Sequence, residues 1–277
     1  MKRIRTCLPA VTLTLLSLCV EATALAQGTA QQGVATAPPG PTLEVIRARR
    51  LIDKDVRNQA GEILGEVEDV MVDTANGRIA YVALDAGPLG PIFAIPWKAL
   101  GVAADNTSAT LNMAKDRLQK APAFRREHWP DTVEPDWLAS VYSYYGYPPY
   151  PGMTEITVKN MRLARATTLL GLTARDRQRQ ELGEIQDFTI DIREGHIAYV
   201  ILATGGILGV GEQAHAVPWT AMEVRPVERV VVLNVDKKKL EYAPSLEEGG
   251  WEETASRRWL AGVYAYYGAR PYWEVGD

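Results

Sequence analysis

Apolar positions between Leu64 and Asp85, LGEVEDVMVDTANGRIAYVALD, form two runs separated by Asn76-Gly77. The first run carries Val67, Val70 and Val72 at nearly alternate positions. Its parity slips once, which predicts a strand with a bulge. The Asn-Gly pair supplies the positive φ that a tight hairpin turn requires. The second run, Ile79–Leu84, is apolar at every position. A strand buried on both faces belongs to a barrel or to a sheet covered on both sides. The pattern returns 118 positions later as LGEIQDFTIDIREGHIAYVILA, Leu182–Ala203, with Ile185, Phe188 and Ile190 in the first strand and Glu194-Gly195 at the turn. A repeat at fixed offset decides the architecture before any single element does.

Past the hairpin the offset becomes 122, because the second copy has four extra residues near Gly205–Gly211. Ile95-Pro96-Trp97 then matches Val217-Pro218-Trp219, and Leu111-Asn112 matches Leu233-Asn234. Arg47–Leu51 and Ala164–Leu170 are expected to open the copies as strands. The polar stretches Asp53–Gly61 and Thr173–Gln180 are expected as surface loops. Short strands are expected around Leu111 and over Val231–Leu233, with helical turns over Lys115–Lys120 and Lys237–Leu240. Pro135 suits the first turn of a helix. After it, Trp137, Val141, Tyr144 and Tyr145 fall on one helical face. Trp259, Val263, Tyr266 and Tyr267 repeat that face. Tyr147-Pro148-Pro149-Tyr150-Pro151-Gly152 ends the first helix and links the copies.

The LGEVEDVMVD and GRIAYVALD segments, the GGILGVGEQAHAVPW stretch and the IPW and VPW strand ends resemble the PRC-barrel family. That family includes the cytoplasmic domain of the photosynthetic reaction-centre H subunit and the C-terminal domain of a ribosome-maturation factor. The resemblance implies a mainly β chain: two tandem small PRC-type β-barrels, each followed by a short aromatic-rich α-helix. The expected organisation is a signal peptide over 1–26, a flexible linker over 27–43 and a first PRC-barrel over 44–122. A helical tail and linker over 123–152, a second PRC-barrel over 153–244 and a C-terminal helical tail over 245–277 follow. The family implies little about function, since its module serves unrelated settings.

Lys2, Arg3 and Arg5, the apolar run from Cys7 to Val20, and Ala24-Leu25-Ala26 follow the order of a Sec-type signal peptide. Cleavage before Gln27 would leave 251 of the 277 residues, no cysteine and no apolar run long enough to span a membrane. Export without disulfides puts the burden of stability on the core. Losing three bases and Glu21 moves the formal charge from −4 to −6. A mildly acidic chain lacks the clustered basic footprint of a nucleic-acid binder. The uncharged segment QGTAQQGVATAPPGPTL is expected as a flexible spacer.

Candidate chemistry is sparse. Glu66, Asp69 and Asp73, with Glu184, Asp187 and Asp191, are the best metal ligands by type. No calcium-loop spacing joins them, and a hairpin places them on different faces, so they are expected as turn and solvent-face residues. His128, His196 and His215 have no histidine counterpart in the other copy and no paired spacing for zinc. Neither a nucleophile elbow nor a mature cysteine is present, and Gly205–Gly211 lacks the Lys-Ser/Thr ending of a phosphate loop. No cofactor is expected, and the chain is not expected to be an enzyme. The aromatic tails hold nine of the twelve tyrosines. Trp137, Val141, Tyr144, Tyr145, Trp259, Val263, Tyr266 and Tyr267 are therefore candidates for binding a partner protein, either a second copy or an envelope component. The alternative for the same residues is that each helix seals its own barrel. The expectation is an exported, non-catalytic protein-binding or scaffold protein of the cell envelope. A periplasmic small-ligand or metal-binding stress protein and an enzyme of unrecognised type are the alternatives.

Overall fold

The computed structural model describes residues 42–87, 90–103, 108–129, 135–148, 162–207, 210–225, 227–246 and 254–274, all within one compact unit, Pro38–Asp277. The signal, residues 27–41 of the spacer and residues 149–161 between the copies lie outside the described residues, while Thr42 and Leu43, expected in the spacer, open β1. The first copy runs β1 (Thr42–Arg47), α1 (Ala48–Leu51), β2 (Asp55–Arg57), β3 (Ile63–Asp73), β4 (Ile79–Asp85), β5 (Ile92–Ile95), β6 (Leu100–Val102), β7 (Ala109–Leu111), α2 (Lys115–Leu118), β8 (Ala123–Phe124) and α3 (Pro135–Tyr145). The second runs β9 (Leu163–Arg165), α4 (Ala166–Leu169), β10 (Thr173–Arg175), β11 (Glu181–Asp191), β12 (His196–Ile207), β13 (Val210–Val217), β14 (Met222–Arg225), β15 (Val230–Leu233), α5 (Lys237–Glu241), β16 (Ser245–Leu246), β17 (Thr254–Ser256) and α6 (Arg257–Tyr267).

The chain is mainly β, in two sheets ordered β6-β7-β2-β3-β4-β5-β8 and β14-β15-β10-β11-β12-β13-β16. Among the described residues no ladder joins β6 to β8 or β14 to β16. The polar stretches expected as loops contribute strands β2 and β10, because each fits between a long strand and a parallel neighbour. The opening segments are strands only up to Arg47 and Arg165. One helical turn follows in each, burying Ala48 and Leu51, or Ala166 and Leu169.

The hairpins form where the pattern placed them. Asp73 ties the first turn by accepting from the Ala75 amide at 3.1 Å and from Asn76 Nδ2 at 2.8 Å, and Gly77 takes φ 80°. The expected bulge is real: register shifts between Val67 and Asp69, leaving Glu68 unpaired, and Gln186 repeats this between Ile185 and Asp187. A second shift leaves Ala80, and likewise Ala198, as the extra residue of the facing strand. Val67, Val70, Val72, Val82 and Leu84 therefore point to the inner core, while Met71, Ala80, Tyr81 and Ala83 point outward. Tyr81, Val82, Tyr199 and Val200 are all buried, as expected for strands covered on both faces.

The copies do not fold side by side as separate units. β1 pairs with β11 of the second copy, and β9 pairs with β3 of the first. Each long strand thus has its own copy's short strand along one half of an edge and the other copy's opening strand along the other half. One continuous core runs through both, from Val56 and Val82 to Phe188 and Val200.

Candidate functional site

Of the acidic residues expected as turn and solvent-face residues, Glu66 and Glu184 are exposed, Asp73 and Asp191 are buried at the hairpin turns, and Asp69 and Asp187 are buried under the exchanged segments. Asp69 accepts from Arg165 Nε at 2.7 Å, from the Thr167 amide at 3.2 Å and from the Thr167 hydroxyl, all supplied by the second copy. The Arg165 guanidinium also lies 4.1 Å from the ring centre of Trp129. Asp187 takes the matching place. The Arg49 amide donates to it at 3.3 Å, and Arg47 Nε stands 3.9 Å away. Its contacts are longer, so burial outweighs them and holds its carboxyl above the usual range.

At the turns the copies meet through a two-fold exchange of backbone bonds. Ile79 N donates to Gly195 O and Ile197 N to Gly77 O, each at 2.8 Å. The Trp of each Pro-Trp strand end covers the other copy's turn. Trp97 Nε1 donates to Ile192 O at 2.8 Å, and Trp219 Nε1 to Thr74 O at 3.2 Å. A Cβ on Gly195 would stand 2.5 Å from the Trp97 ring, and one on Gly77 2.7 Å from Trp219. His196 stacks on Tyr272 with centroids 4.4 Å apart, and Tyr272 OH donates to Asp191 at 2.6 Å. Burial pulls the His196 imidazole down to about 4, so it is neutral near pH 7.

The tail helices lie against the outward faces of their own sheets. Leu138, Val141 and Tyr142 are buried in the first, and Leu260, Val263 and Tyr264 in the second. Tyr142 OH donates to Ala80 O at 2.9 Å and Tyr264 OH to Ala198 O at 3.1 Å, filling the carbonyls that the bulges leave open. Val141 and Val263 are 0 % and 1 % exposed, so they offer nothing to a partner. Trp137, Tyr144, Tyr145, Trp259, Tyr266 and Tyr267 are half-buried around them. Tyr144 and Tyr266 also donate to the carbonyls of Arg117 and Lys239 in the short helices α2 and α5. The geometry is that of a seal. The spacing i, i+4, i+7, i+8 identified the helix but missed Leu138 and Tyr142, which lie one position further round and are buried beside Val141.

The sequence profile of the PRC-barrel domain matches residues 43–118 and 161–240, together more than half of the chain. The chain belongs to the PRC-barrel domain family. No curated protein matches it. No helix among the described residues is long and apolar enough to cross a membrane.

The second PRC-barrel domain carries a groove of about 400 Å³ lined by Glu181, Leu182, Gly183, Thr204, Gly205, Gln213, Lys237, Leu240 and Glu241. β11 and β12 part here. Their ladder ends at Glu184 opposite Ala203, while β11 stays paired along its other edge with β10 from Glu184 to Glu181. Only glycine allows this close approach, since a Cβ on Gly183 would stand 1.9 Å from Ala203 O. α5 closes the third side, started by Asp236, whose carboxylate accepts from the Lys239 amide at 2.7 Å. His215, buried behind the groove, contacts the Thr204 hydroxyl at 3.1 Å through Nε2. The four extra residues of the second copy were the signal for this groove, for they let β12 and β13 run on past the fork.

Proposed function

We propose that this PRC-barrel chain is an exported, non-catalytic protein-binding or scaffold module of the cell envelope. The reading of export rests on the basic, apolar and Ala-Leu-Ala order of the first 26 residues. The observation that carries the non-catalytic part is how the polar interior is used. Asp69, Asp187, Asp191 and His196 hold the two copies or the C-terminal segment in place, and each bonds or stacks on another structural residue. A general acid or base needs a polar atom within reach of a substrate, and these side chains are 5 % exposed or less. The tail aromatics support a rigid body more than a docking face. A scaffold of this kind presents its surfaces at fixed spacing, and protein is the partner class that suits its mildly acidic charge better than nucleic acid.

The test is expression with the leader intact, followed by intact mass and in-cell cross-linking. A mass beginning at Gln27 and one reproducible cross-linked protein partner are expected. A mass that retains Cys7 and Cys19 overturns export, and the absence of any protein cross-link overturns the binding role.

A further inference from the structure

We propose that the second-copy groove binds an extended segment of a partner protein, a strand bearing a lysine or arginine that adds to the free edge of β12. The proposal rests on the protein-binding reading above and gives it a place and a chemistry. β12 pairs with β11 only as far as Ala203, yet stays paired with β13 out to Ile207 opposite Val210. Among the described residues, Thr204–Ile207 therefore have a ladder partner on one side only. The start of β11 is likewise paired only with β10. Two strand edges thus face one groove, and an edge with unfilled N–H and C=O groups is a template for another strand.

The groove suits such an occupant in its dimensions and its lining. A volume of about 400 Å³ accommodates a short run of residues rather than a large rigid ligand. Leu182 and Leu240, both buried, give it an apolar floor. Glu181 and Glu241 set two carboxylates beside one ammonium, that of Lys237, so a basic side chain on the incoming strand is favoured over an acidic one. Gly205, at φ 71°, bends the hairpin at the fork. Among the described residues the first copy's hairpin does not run on in this way. β4 ends at Asp85, which pairs with Ile92 across a short turn and binds Arg126.

The probe is a set of synthetic hexapeptides alternating valine and threonine with one central lysine, offered to the full chain and followed by NMR. Shifts confined to Thr204, Gly205, Gln213 and the α5 residues are expected, together with slowed amide exchange at Thr204–Ile207. Methylating alternate peptide nitrogens removes main-chain bonds and keeps the side chains, so binding should fall at least tenfold. Glu181→Lys with Glu241→Lys, at exposed positions, should give a similar loss while Tm holds. Equal binding by the methylated peptide, or shifts elsewhere in the molecule, overturns the proposal. A partner cross-linked equally by wild type and by the double variant overturns the groove and leaves the protein-binding reading standing.

Discussion

Gly77 and Gly195 show at residue scale how firmly each copy is fitted to the other. Both sit at positive φ, and each faces a tryptophan ring of the opposite copy at a distance no methyl group can occupy. Gly195→Ala should therefore cost more than the roughly 1 kcal/mol typical of a left-handed glycine site, read as a shift of the urea midpoint. Val82→Asp would bury a charge with no partner and cost several kcal/mol; a Tm equal to wild type would displace β4 from the centre of its sheet. His196 gives a pH-dependent case. Its folded value of about 4 lies below the ordinary 6.5, so the unfolded chain binds the proton more readily. Stability is full above pH 6.5 and falls as pH drops toward 4, by about 3 kcal/mol from this group. Asp187, held high by burial, works in the opposite sense at the acid end. Comparing wild type with His196→Gln over pH 4–7 isolates the histidine, and parallel curves would refute it.

The tail helices pose the question at element scale. Two tyrosines in each have opposite fates. Tyr142 and Tyr264 fill bulge carbonyls, whereas the buried hydroxyls of Tyr145 and Tyr267 have no hydrogen-bond partner among the described residues. Tyr142→Phe and Tyr264→Phe should each lose about 1 kcal/mol. Tyr145→Phe and Tyr267→Phe should be neutral or stabilising, because they remove an uncompensated buried polar group. Thermal melts of the four variants decide, and equal losses throughout would refute the assignment. These elements also mark what the sequence could convey. The hairpins, bulge, helices and duplication were legible because period, turn chemistry and spacing are local properties. The burial of Asp69 and Asp187 was not, because their partners lie in the other copy and a polar residue in a strand ordinarily signals solvent. The groove was visible only as an insertion of four residues, since its walls come from three separated segments.

At the scale of the whole molecule, reciprocal pairing of β1 with β11 and β9 with β3 makes the chain a two-fold dimer written on one polypeptide. A core shared by both copies should melt in one cooperative step. A protease site placed between Pro148 and Arg162 would separate the copies covalently without removing any of these contacts. The cut chain should run as one species in gel filtration under native conditions and part only in denaturant. Two separated halves in native buffer would mean that the linker, not the seam, holds the molecule together.

The same exchange sets an order in time. The Arg49 amide and its acceptor Asp187 lie 138 positions apart, so β1 has no docking edge until most of the second copy exists. Contacts so distant along the chain form late and slow the search for the native state. A nascent chain of this design stays incompletely folded until nearly its whole length has emerged. That delay fits the export proposed above, in which the chain would be threaded unfolded through a channel before it sets.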